Sequence, residues 1–185
     1  MAFLRVIRAC CATTLLLGSA PALPAPTETQ VKAVFLFNFA RFVDWPAMTY
    51  VGANAPFTVC VYGNDPFGTD LDAAMRGETV DGRSMVVRRL HALSELTQCQ
   101  IVFIANSADR ELESVVAALD RRATLTVSDL EGAAQRGVMV RMVTENGKIR
   151  LRVNIDAVRA ARITISSNLL RAAEIVGSAP PGDKT

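Results

Sequence analysis

Short runs of β-branched and aromatic residues alternate with helix-like stretches along most of this chain, and that alternation limits the fold more than any other feature. Phe57 to Tyr62 (FTVCVY) and Gln100 to Ala105 (QIVFIA) are apolar almost without interruption. A strand with one face in water alternates, so unbroken runs of this length imply cover on both faces. Ser84 to Leu90 and Ala123 to Val127 are further strand candidates. Between them, Leu71 and Met75 supply one helical face, and Asp109 to Leu119 reads as an amphipathic helix. A short helix is expected around Leu130 to Gln135. The pattern predicts an α/β fold, a mainly parallel sheet of flavodoxin- or Rossmann-like type flanked by helices. Late in the chain, Val138 to Val143 and Ile149 to Asn154 alternate around Glu145-Asn146-Gly147, a strong hairpin signal. It would add an antiparallel edge to the sheet. A final helical region is predicted from Asp156 to Val176, broken near Thr164 to Ser167, with Ser166 or Ser167 as a cap.

The first helix, Thr27 to Asp44, is apolar nearly all round. Val31, Val34, Phe35, Phe39, Phe42 and Val43 form the main stripe, and Ala33, Leu36, Phe37 and Ala40 lie off it. Thr27 is its predicted cap, and Trp45-Pro46 stops it because the residue before proline avoids helical geometry. A helix of this kind is covered on more than one side. If the main stripe meets the sheet, Leu36, Phe37 and Ala40 face outward, toward a partner or a second copy. Asn38 falls on the stripe, where a buried amide needs hydrogen-bond partners.

The N-terminus reads as a secretory signal over residues 1–22: Arg5 and Arg8, an apolar run centred on Leu15 to Leu17, then Ala20 and Ala22 at cleavage spacing. The run is too short to span a bilayer, which takes about 20 residues. One domain over residues 23–177 and a disordered tail over 178–185 complete the expected organisation. The chain carries 20 basic and 18 acidic side chains, and removing Arg5 and Arg8 leaves 18 of each. A nucleic-acid partner is therefore not expected, since phosphate neutralisation needs a basic surplus. Cleavage leaves two cysteines, Cys60 and Cys99. In an oxidising compartment an even pair points to a disulfide, with two buried free thiols as the alternative. If the turns after their strands align, the two lie about four residues out of register, about 13 Å, so a bond requires stagger.

Catalysis has little support. His91 is the only histidine, and the chain shows neither a G-x-S-x-G elbow nor a phosphate-binding glycine loop. No metal site and no cofactor are expected. In open α/β sheets ligands bind outside the carboxyl ends of the strands. That places Asn64 and Asp65, Asn106 and Ser107, and Ser128 and Asp129 as possible small-ligand residues. The same residue types also serve as helix caps.

The segment Lys32-Ala33-Val34-Phe35-Leu36-Phe37-Asn38-Phe39-Ala40-Arg41-Phe42-Val43-Asp44-Trp45-Pro46 resembles the opening helix of the YfiR-like family of periplasmic proteins. The resemblance continues through Val61 to Gly68, Cys99 to Ile104, Leu125 to Asp129, Gly137 to Met139, Val153 to Ile155 and Ile165 to Leu170. It implies a compact α/β fold behind a signal peptide. It also implies a repressor that binds an inner-membrane signalling protein, a diguanylate cyclase or a sensor kinase, under redox influence. Cys60 and Cys99 match a pair that the family can oxidise. The chain departs from the family at Ala134 and Arg141, where some members carry further cysteines, and at Arg136-Gly137, where a double glycine is common.

Overall fold

The computed structural model describes residues 25–46, 49, 50, 52 and 54–177. The expected leader and the expected tail lie outside the described residues.

Five parallel strands form the centre of the sheet. They are β2 (Phe57–Tyr62), β4 (Arg83–Leu90), β5 (Ile101–Ile104), β6 (Leu125–Ser128) and β7 (Val140–Glu145). Their spatial order is β4-β2-β5-β6-β7, which is the flavodoxin order. β8 (Lys148–Asn154) returns antiparallel to β7 through Asn146-Gly147, whose φ angles of 52° and 71° are those of a hairpin turn. The outer edges are β10 (Ala173–Val176), parallel to β8, and β3 (Thr79–Val80), antiparallel to β4. Every residue of β2, β5 and β6 is buried, as their unbroken apolar runs require. One face of the sheet packs Phe57, Val59, Phe103 and Val127 against α1 (Glu28–Phe42) and α2 (Thr69–Met75). The other packs Cys60, Tyr62, Val102 and Ile104 against α3 (Leu112–Ala118).

Several expectations are corrected. α1 ends at Phe42, not Asp44. Val43–Asp44 is a strand, β1, pairing antiparallel with β9 (Thr164–Ile165), and the Ser166 N–H donates to the Phe42 carbonyl at 2.8 Å. The final region is not one broken helix. It runs α4 (Ile155–Ala160), β9, α5 (Ser167–Arg171), β10, with Ser166 capping α5. Ladder partners on β1 and β8 override the helix-compatible pattern of those residues. Leu130 to Gln135 is a series of hydrogen-bonded turns. The Asp109 helix opens as a 3₁₀ segment, Asn106–Glu111, before α3. The cap that Asp65 and the following Pro66 would suggest for α2 is not formed. Asp65 accepts from the Phe67 N–H at 2.7 Å in a tight turn, and Gly68 precedes the helix.

Candidate functional site

α1 is rolled by about a third of a turn from the sequence-based expectation, so that Phe39 and Val43 of the expected stripe stay buried while Val34 and Phe42 turn outward. Leu36 (0% exposed) and Ala40 (2%) face the sheet with Ala33 and Phe39, so neither belongs to an outward surface. Ala33 and Ala40 are small enough for the helix to lie close on the strands. The outward face carries Val34 (50% exposed) and Phe42 (39%), with half-buried Phe37 and Asn38 between them. Arg41 stacks its guanidinium 5.7 Å from the Phe37 ring centre. Of the three predicted surface residues, Phe37 alone is not buried outright, and it packs partly against the core.

Lys32 explains the roll. It is buried on the sheet side of α1, where its Nζ donates to Asp129 Oδ2 at 2.6 Å and contacts Glu28 Oε1 at 2.7 Å. Turning the expected stripe inward would break this pair and leave Asp129 buried without its cation. Burial acts to lower the Lys32 pKa, but the hydrogen bonds and charges of Asp129 and Glu28 outweigh it, and the pKa is raised. Glu28 is held below its ordinary value by the hydrogen bond from Lys32, then by Thr144. The pair escaped the sequence reading. A lone lysine inside an apolar helix was its only signal.

Four of the six strand-end residues use their side chains within the fold. Ser107 Oγ accepts from the Asn64 N–H at 2.7 Å and joins two loops. A Cβ on Gly63 (φ 94°) would meet that same oxygen at 2.7 Å, so glycine is required there. Ser128 is fully buried, donating to the Ile104 carbonyl at 2.8 Å and accepting from the Leu130 N–H at 3.2 Å. Asp65 Oδ2 receives Arg89 Nε at 2.9 Å, and Asp129 is held by Lys32. Asn64 and Asn106 are exposed. Asp129 Oδ1 is buried without a hydrogen-bond partner among the described residues. Nearby on the second face, the Tyr62 hydroxyl donates to Glu111 Oε2 at 2.6 Å. Burial first, and then that carboxylate, push the Tyr62 pKa up to about 12. His91 is exposed after β4. Among the described residues no group of three or more His, Cys, Asp or Glu side chains is arranged to hold a metal.

Cys60 and Cys99 are bonded, with their Cα atoms 5.9 Å apart. Cys60 stands opposite Val102 in the β2–β5 ladder, so a straight approach to β5 would leave Cys99 too far away. The 3₁₀ segment Leu93–Gln98 folds the chain back beneath β5 and removes the offset. Both cysteines are buried in the α3-side cluster.

These features define a class first. This is a flavodoxin-ordered α/β protein, tied by a buried disulfide, with an apolar helix face left open. Residues 29–174 match the family described as DUF4154, YfiR/HmsC-like, and the chain belongs to that family. Known members of the family are periplasmic regulators. No curated protein matches the sequence. A conserved domain protein from Vibrio cholerae O1 biovar El Tor strain N16961 is similar in fold. It has a TM-score of 0.52 and 12% identity, over 82% of this chain and 60% of that one. The ABC domain in complex with L-Trp from Streptococcus pneumoniae aligns over 65% of this chain and 55% of its own, at a TM-score of 0.47 and 10% identity. The chain thus spans under two thirds of the length of either structure. Among the described residues no helix is long and apolar enough to cross a membrane.

Proposed function

We propose that this protein is exported through residues 1–22 and represses an inner-membrane diguanylate cyclase by capturing its periplasmic portion on the outer face of α1. Val34, Phe37 and Phe42 form the contact. The observation that carries the reading is the exposure of Val34 and Phe42, with half-buried Phe37 beside them, on an otherwise well-packed helix, in a chain whose family regulates such cyclases. Apolar side chains exposed together on one face form the kind of patch that serves as an interaction surface. The Cys60–Cys99 bond tunes capture from the opposite face of the sheet, by fixing β2 and β5 beneath the helix.

The test is cellular cyclic-di-GMP together with co-purification of the cyclase. Wild-type protein lowers the nucleotide. Val34→Glu with Phe42→Glu abolishes both repression and co-purification while the circular dichroism spectrum is unchanged. Full repression by that folded double variant would refute the surface. A second copy is the competing occupant of this face. A dimer that the double variant converts to monomer, with repression intact, would assign the face to self-association instead.

A further inference from the structure

At the edge of the sheet opposite the strand-end loops, where β5 and β6 begin, an open cavity of about 410 Å³ is lined by Arg121, Arg122 and Arg162. Cys99, Thr97 and Thr124 belong to its wall, and the Thr124 hydroxyl is turned away to donate to the Cys99 carbonyl at 2.8 Å. We infer that this cavity is a binding site for a small organic oxyanion, a phosphate- or carboxylate-bearing molecule clamped by the three guanidinium groups. The inference does not rest on the identity of the α1 partner.

Three observations carry it. The arginines come from two distant segments, the turn after α3 and the turn after α4, yet converge on one cavity. Three cationic side chains lining one cavity favour an anion there. Their own carboxylates do not neutralise them. Arg121 touches Asp120 at 3.7 Å with both side chains well exposed, and no acidic side chain lies within ion-pair distance of Arg122 or Arg162 among the described residues. By contrast, Arg89, Arg136 and Arg152 are each held by two carboxylates.

The backbone points the same way. Arg121 (φ 54°) and Arg162 (φ 57°) both occupy the left-handed region. The other described non-glycine residues there are Asp81 and Asn146, types that tolerate it and that precede glycine in hairpin turns. Both follow a helix end, α3 and α4, where a left-handed residue closes the last turn, and this geometry turns the two chains toward the same cavity. The cavity volume falls in the range of small-molecule sites, about 300–1,000 Å³. The guanidinium fork suits bidentate recognition of phosphate or carboxylate. Ala123, Ala161 and Pro46 supply an apolar wall for the rest of the molecule.

The experiment is a thermal-shift and calorimetric titration of the purified mature protein with sodium pyrophosphate and, separately, sodium citrate. Sodium chloride holds ionic strength constant. Saturable stabilisation by pyrophosphate alone identifies a phosphate ligand, and by citrate alone a carboxylate. Arg122→Ala with Arg162→Ala weakens binding by about tenfold or more, the scale of a lost charge-assisted hydrogen bond. Arg162→Gly, which suits the backbone and keeps the fold, weakens it as well. The inference is overturned if neither probe stabilises the protein beyond the chloride control. It is also overturned if both variants bind the probe as tightly as the wild type.

Discussion

Reducing the Cys60–Cys99 bond should cost this protein a large share of its stability. The bond joins positions 39 residues apart. For a loop of that size the chain-entropy account gives about 4 kcal/mol, released to the denatured state when the cross-link opens. With a urea dependence of about 2 kcal/mol per molar, the unfolding midpoint should fall by about 2 M. Both sulfurs sit in an apolar cluster, so the reduced thiols remain packed, and reduction isolates the cross-link. Cys60→Ala with Cys99→Ala should fall further, because it also removes sulfur packing. The assay is urea denaturation of protein purified from the periplasm, with and without dithiothreitol. Thiol titration of the unreduced, denatured sample serves as a control, and no free thiol is expected. Two free thiols would refute the bond. An intact bond with a midpoint shift below about 0.5 M would refute the entropy argument, and would mean that the denatured chain already keeps the two segments together.

Three further outcomes test the packing and the charges. Leu36→Ala should destabilise by about 3 kcal/mol through a core cavity, whereas Val34→Ala, half exposed, should change stability by less than about 0.5 kcal/mol. Denaturation midpoints in the reverse order would restore the opposite roll of α1. Lys32→Met should cost about 3 kcal/mol, because it leaves the Asp129 carboxylate buried without its cation. Chemical denaturation at pH 7 measures it, and a loss under about 1 kcal/mol would show that water reaches the pair. In spectrophotometric titration the folded protein should ionise neither tyrosine at the ordinary value of 10. Tyr62 is raised to about 12, and burial, followed by Asp81, raises Tyr50. A raised folded pKa means that the stability it confers is complete below pH 10 and is lost as pH climbs toward 12. Phenolate formation complete by pH 10 in the native state would contradict this. Tyr62→Phe should remove that part of the alkaline loss.

The alkaline side also involves Lys32. Its raised pKa adds stability that is present below 10.5 and fades above it. Glu28 acts in the opposite sense. Its depressed pKa adds stability present above its ordinary 4.5 and lost as pH falls past the lowered value. Half of its side chain is exposed, so solvent screens that contribution.

The alternation of elements, the continuous burial of β2 and β5, and the Asn146-Gly147 hairpin were legible in the chain itself. Each depends on local preference and on side-chain period, which neighbours in sequence carry. The pairing of Cys60 with Cys99 was legible as a chemical possibility, but its geometry was not. It depended on how Leu93–Gln98 folds back, and spacing alone does not encode that. The roll of α1 was misread because apolar residues surround it, leaving the burial pattern ambiguous. Tertiary contacts decided it, through one salt bridge between residues 97 positions apart and through two alanines that permit close approach. β1, β9 and β10 exist because their partners lie elsewhere in the sheet system. Gathering Arg121, Arg122 and Arg162 around one cavity likewise took the whole fold. Sequence thus determined the central strands and helices and the family the chain fits. The folded structure alone determined which faces stay open, because exposure is a property of packing between segments far apart in the chain.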